Sequence, residues 1–235
     1  MHREEHCTLA GRRCVFWIPE GPGPFPVVCL CVGEAESLIP ALIGTELPPV
    51  LFCHAAAQWE RDFTPWPAAA LPGREAFSGG AAAYLAFLRD VLLPYAQLHY
   101  PVFRDAAHRA IAGYSLGGLF SLWSLCETDL FGAAASLSGS LWYDGWTDYL
   151  AAHTLPRDAR VYLSLGRSEE RAGNPRMAVV GENTRQTYER LSGALRSENV
   201  RLEWNRGGHF TGIPNRWRKA MVWLTVPWKC VERGK

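Results

Sequence analysis

Apolar residues recur along the chain with two alternating periods. Seven runs of strand length, Arg12–Pro19, Phe25–Val32, Pro49–His54, Arg109–Gly113, Ala133–Leu137, Val161–Leu165 and Arg201–Asn205, carry most of the β-type pattern. Between them the spacing shifts to three and four. Tyr84, Leu85, Leu88, Val91, Leu92 and Tyr95 place an apolar stripe on a helix from Gly79 to about Leu98, with Ser78 as its N-cap and Pro94 expected to kink or shorten it. Helices are also predicted over Glu36–Gly44, Leu116–Cys126, Tyr143–Ala152, Pro175–Asn199 and Pro214–Leu224. Strands separated by helices need crossover connections, so the pattern predicts an α/β fold with a mostly parallel central sheet and helices on both faces. The Gly21-Pro22-Gly23-Pro24 turn predicts that the first two strands form an antiparallel N-terminal hairpin. Ala55–Phe77 fits neither period. It follows a parallel strand at its carboxyl end, where α/β sheets build their sites, and is therefore expected to be functional.

Composition narrows the function. The 235 residues are 48% hydrophobic and carry 24 Lys+Arg against 23 Asp+Glu, a net charge of +1. This suits one domain over residues 1–235 with a substantial core, and offers no basic field for a nucleic acid. The longest uncharged stretch, Ala110–Cys126, is interrupted by glycines and serines, so no membrane span is expected. The segment Met1–Arg13 has no apolar run of the signal-peptide kind, which makes a cytoplasmic location the expectation. Seven cysteines is an odd number, and Cys29 and Cys31 share one face of a strand. They read as core packing, with no ligand set for a metal and no cofactor expected.

The chemistry centres on Gly113-Tyr114-Ser115-Leu116-Gly117-Gly118, a G-x-S-x-G between a strand and a helix. A serine projecting from so tight a turn needs neighbours without side chains, and the glycines supply them. Ser115 then sits at a helix amino end, where the Leu116 N–H can donate to a developing oxyanion. A serine nucleophile needs a base. Of seven histidines, His209 follows a strand, lies in Gly207-Gly208-His209-Phe210 and precedes the last helix, which is the place of the base in the order serine, acid, histidine. The acid is expected after the strand Val161–Leu165. Glu169 is the candidate, with Glu170 beside it and Asp144 and Asp148 as further orienters.

With these residues the chain resembles the α/β-hydrolase superfamily, in the esterase-D-like branch that includes enterochelin (siderophore) esterases, feruloyl esterases and mycolyl transferases. The resemblance rests on the string Arg109 to Phe120, on Arg61-Asp62-Phe63-Thr64-Pro65-Trp66-Pro67 and on Gly207-Gly208-His209-Phe210, and spans nearly the whole chain. It implies a triad of Ser115, Glu169 and His209, although an Asp is expected where this chain has Arg167. It also implies that the loop carrying Arg61 supplies the second oxyanion donor, near Gln58–Arg61. Trp59, Asp62 and Trp66 are then candidates for substrate binding, and Arg61 for an anionic acyl group. The chain is short for the superfamily, which leaves no room for a large lid and implies an open site for a bulky ester, such as a siderophore. A small-molecule ester is the expected partner. An acyltransferase or thioesterase using the same serine, and a non-catalytic hydrolase-fold binding protein, are the competing readings.

Overall fold

The computed structural model describes residues 2–43, 47–73 and 75–228. Strands β1 (His2–Leu9) and β2 (Arg12–Pro19) form a hairpin closed by Ala10 and Gly11, both with positive φ (45° and 78°). Such a turn matches the twist of the strands it joins. Then come β3 (Val27–Cys31), the short helix α1 (Ile39–Ile43) and β4 (Leu51–Ala55). The stretch that fits neither period holds a four-residue helix, α2 (Trp59–Asp62), and the two-residue strand β5 (Pro67–Ala68), which pairs antiparallel with β6 (Phe77–Ser78).

The long helix predicted from Gly79 is observed as α3 (Ala81–Phe87) and α4 (Leu93–His99), joined by a π-helical turn, Leu88–Leu92. Within it the Leu93 N–H donates to the Leu88 carbonyl. Pro94, which has no N–H to give, follows at once, so the wider turn absorbs the missing bond where a kink was expected. The cap is Gly80, since Ser78 belongs to β6.

The second half alternates β7 (Arg109–Tyr114), α5 (Leu116–Glu127), β8 (Ala133–Leu137), α6 (Trp146–Ala152) and β9 (Arg160–Gly166). It continues with α7 (Pro175–Ala178), α8 (Val180–Ala194), β10 (Val200–Asn205) and α9 (Ile213–Thr225). The helix predicted over Pro175–Asn199 is thus two helices and a 3-10 turn. The predicted helix Glu36–Gly44 is shorter, and Gly44 itself lies outside the described residues.

Eight strands make one sheet in the order β1-β2-β4-β3-β7-β8-β9-β10. From β4 to β10 all neighbours are parallel, while β2 is antiparallel to both of its own. This is an α/β-hydrolase fold. The N-terminal hairpin exists, but one strand earlier than predicted. β2 pairs with β4, with Cys14 opposite Ala55 and Trp17 opposite Phe52, so the Gly21–Pro24 turn joins strands that do not touch. The reason is burial. All five β3 residues are buried, which demands a neighbour on each edge, whereas β1 is half exposed and suits the rim.

Alternate residues of β2 feed two cores: Cys14, Phe16 and Ile18 pack on one face of the sheet, Val15 and Trp17 on the other. Cys29, Cys31 and Cys53 join the first face. Burial pushes the Cys14 thiol up to about 11 and raises Cys31 as well, so these are packing groups and not thiolates. Among the described residues, no helix is long and apolar enough to cross a membrane.

Candidate active site

Ser115 stands between β7 and α5 with φ 56° and ψ −122°, a strained conformation for a residue with a side chain. The glycines around it are steric requirements. A Cβ on Gly113 would lie 2.1 Å from the Gly117 carbonyl oxygen, and one on Gly117 would lie 1.9 Å from the Cys31 carbonyl oxygen. The turn is pinned by the Ser115 N–H donating to Leu137 (3.0 Å) and the Ser140 N–H donating to the Ser115 carbonyl (2.9 Å). Ser115 Oγ lies 3.3 Å from Ser140 Oγ. Leu116 opens α5, where the first amides have no acceptor within the helix.

His209 lies in the loop between β10 and α9, after Gly207 at φ 86°. Its Nδ1 donates to Glu169 Oε2 at 2.7 Å, and Tyr114, the residue before Ser115, donates its hydroxyl to the His209 carbonyl. Glu169 begins a 3-10 turn just after β9 and is buried. Its other oxygen, Oε1, accepts from Ser138 (2.7 Å), the Gly166 N–H (2.7 Å) and Arg216 (3.0 Å). Burial pushes this carboxyl up, but the hydrogen bonds from His209, Ser138 and Gly166 outweigh it and leave Glu169 below the usual glutamate value. One oxygen is therefore anchored by the protein and the other is given to the imidazole. With Nδ1–H committed to the carboxylate, Nε2 is the ring nitrogen left to accept a proton.

The structure brings Ser115, Glu169 and His209 together at the carboxyl edge of the sheet. It separates the alternative acids. Glu170 pairs with Arg185 (2.7 Å), Asp144 pairs with Arg176 (2.8 Å), and Asp148 is exposed on α6. Two neighbours of Glu169 escaped the sequence reading. Ser138 follows β8 with φ 44°. Arg216 is 1% exposed and also donates to Ser138, to the Gly208 carbonyl (2.8 Å) and to the Tyr114 hydroxyl (3.2 Å). The available signal for Arg216 was its place on the buried stripe of α9 with Trp217, Ala220, Met221 and Leu224, where a cation needs a buried partner.

Ser115 and His209 open into a cavity of about 730 Å³, walled mainly by apolar side chains including Leu38, Phe77, Trp142 and Trp217. Of the candidates for substrate binding, Trp59 lines it, and Arg61, Asp62 and Trp66 do not. The Arg61 N–H donates to the Gln58 carbonyl (3.0 Å) inside the turn of α2, so it is not free to serve as an oxyanion donor. Its side chain pairs with Asp62 (2.9 Å). Asp62 is fully buried and also takes Arg12 (2.7 Å) and the Gln58 N–H (2.9 Å). Burial raises its carboxyl, and these hydrogen bonds outweigh that and hold it below the usual aspartate value. Trp66 packs on Tyr143 and Tyr149 and donates to the Asp144 carbonyl (2.8 Å). These three residues tie the loop down and are not among those that line the cavity. The loop beside Ser115 in the cavity is instead residues 32–34, directly after β3. Among the described residues, no group of three or more His, Cys, Asp or Glu is placed to hold a metal ion.

A family model described as "Putative esterase" matches residues 49–222, the stretch that contains Ser115, Glu169 and His209. The chain belongs to this esterase family. It is 29% identical to YbbA of Bacillus subtilis, a protein described as uncharacterized, over 94% of each chain. Among solved structures it is similar to an IroE-like serine hydrolase from Shewanella oneidensis (TM-score 0.76, 16% identity, 95% of this chain and 79% of that one). It is also similar to the siderophore hydrolase EstB from Aspergillus nidulans (0.71, 18%, 97% and 95%). The enterobactin esterase FES from Shigella flexneri matches at 0.71 and 19% identity, over 99% of this chain but 60% of that one. At these identities the solved structures speak to the fold of this esterase family member.

Proposed function

We propose that this esterase family member hydrolyses carboxylic esters through an acyl-enzyme formed on Ser115. His209 Nε2 takes the proton from Ser115 Oγ as that oxygen attacks the ester carbonyl, and Glu169 steadies the resulting imidazolium. The Leu116 N–H and a backbone N–H from residues 32–34, the loop after β3, hold the oxyanion; this replaces the donor expected near Arg61. Collapse of the tetrahedral intermediate breaks the bond to the alcohol, which leaves with the proton from His209. Water then attacks the acyl-serine, giving its proton to His209, and the carboxylic acid departs as Ser115 recovers its hydrogen.

The observation that carries the reading is the hydrogen bond from His209 to the depressed Glu169, beside a serine held on a turn that only glycines permit. An empty relic of the fold has no need of a buried carboxylate held by four donors. The cavity volume favours a bulky ester, and the neighbours named for siderophore hydrolysis are consistent with that size. Replacing Ser115 or His209 by Ala should lower kcat/KM for 4-nitrophenyl butyrate by at least about 10³ with the fold intact by circular dichroism. Unchanged turnover in both variants contradicts the mechanism.

A further inference from the structure

The loop that carries His209, residues 206–212, contains no buried residue, and Phe210 beside the base is 85% exposed. Gly207 and Gly212, both with positive φ (86° and 66°), stand near its two ends. Such a loop lacks the apolar anchoring that holds the serine turn, so polar bonds decide where the imidazole stands. The Ser168 N–H donates to the Gly207 carbonyl (3.0 Å). Three further ties lead to Arg216. Its Nη2 donates to the Gly208 carbonyl (2.8 Å), and its Nη1 to Glu169 Oε1 (3.0 Å) and to the Tyr114 hydroxyl (3.2 Å). Glu169 in turn holds His209 Nδ1, and Tyr114 holds the His209 carbonyl.

The interior is shaped to admit this guanidinium. A Cβ on Gly166 would lie 2.6 Å from Arg216 Nη2 and 2.9 Å from Glu169 Oε1. Arg216 Nε is buried with no hydrogen-bond partner among the described residues, a cost that a side chain kept only for stability does not explain. One planar fork thus meets the residue before the nucleophile, the acid, and the residue before the base.

We propose that Arg216 is a positioning residue for the reaction. It fixes His209 against Ser115 by holding both the acid on which the imidazole leans and the loop that carries it. This rests on the esterase reading above and adds what keeps the base in place. Arg216 is 1% exposed and is not among the residues that line the cavity, so it acts through His209 and not on substrate.

The test uses 4-nitrophenyl butyrate and the full chain. Arg216→Lys keeps the charge, but an ammonium is a single point that reaches Glu169 or Gly208 and not both. Its kcat should fall by about 10- to 100-fold with KM within about threefold of wild type. In the His209→Ala background the same substitution should change the residual kcat by less than about twofold, because a residue that acts through the base is silent once the base is gone. A merely structural role would lower both backgrounds alike. Arg216→Met combined with Glu169→Gln removes both buried charges together, which guards against a variant lost to misfolding. Its kcat should lie at least about fivefold below that of Glu169→Gln alone, since the hold on Gly208 is lost as well. Wild-type kcat in Arg216→Lys, an equal loss with and without His209, or a double variant no worse than Glu169→Gln overturns the inference. Failure of the esterase reading has a different signature: no turnover by the unaltered chain, with Ser115 inert to a fluorophosphonate.

Discussion

Residues 113–118 and residues 61–67 both follow parallel strands at their carboxyl ends, and both carry unusual clusters of glycine, proline, aromatic or charged side chains. In the first, the structure obeys the requirement written in the sequence: the backbone passes so close to itself that only glycine fits, and the serine is pushed out toward the cavity. In the second, the polar groups find their partners within the protein. Asp62 collects Arg12, Arg61 and the Gln58 N–H, while Thr64 Oγ1 accepts the Gly79 N–H (3.2 Å) and Gly80 donates to the Arg61 carbonyl (2.8 Å). Phe63 is buried against Tyr84 and Phe120. The loop therefore bolts α2 onto β2 and α3. A steric motif announces its own geometry, whereas a charged motif shows only that charges need partners, and those partners come from the chain or from substrate.

That contrast can be broken from either side. The largest effect belongs to Gly117→Ala, whose Cβ would occupy the Cys31 carbonyl. It should abolish turnover and lower Tm sharply, and retention of wild-type activity would mean that the turn is not what the structure shows. Next is Glu169→Gln, which keeps the shape but removes the charge beside His209. It should lower kcat by about 10²–10⁴ with a smaller change in KM. A comparable loss in Glu170→Gln would move the acid to the neighbouring residue.

On the other side, Asp62→Asn should cost about 2–3 kcal/mol of stability in urea unfolding, because it leaves two guanidinium groups poorly paired. Arg61 and Arg12 keep some water contact, which holds the cost below that of a fully buried pair. In the folded variant kcat/KM should stay within about threefold of wild type. A large catalytic loss without a stability loss would return this residue to the substrate site.

Acid supplies a gentler probe. Glu169 and Asp62 both have folded-state values below their ordinary 4.5 and 3.8. Each therefore favours the folded state fully above those ordinary values, and the contribution is lost as pH falls through the lowered ones. Tm should decline as pH is taken below about 4.5, and Asp62→Asn should flatten part of that decline. A Tm profile unchanged by the substitution would show that Asp62 titrates alike in both states.

Much of this architecture was legible in the sequence because it depends on local necessity. The alternation of periods predicted the parallel sheet, and the glycines around Ser115 and His209 predicted where the chain must turn. What was not legible depends on partners far along the chain. β1 escaped because His2 and Glu5, at inward positions, look unfit for a strand until Val50 accepts from His2 (3.1 Å) and Tyr100 donates to Glu5 (2.7 Å). Glu169 could be placed but not distinguished from Glu170, since what sets the two apart is the bonding of Glu169 to Ser138, Gly166 and Arg216. The family resemblance placed the second oxyanion donor in the loop after β4, which carries the string Arg61–Pro67. The sheet order sets β3 beside β7 instead, so the plain loop after β3 lies next to the serine.

The central claim is that the serine on the glycine-bound turn is a nucleophile. Incubation with a fluorophosphonate followed by peptide mapping tests it most directly. The account predicts a single adduct on Ser115, formed much more slowly in His209→Ala. An unmodified Ser115, or an adduct carried by another residue with equal speed in both proteins, would contradict it.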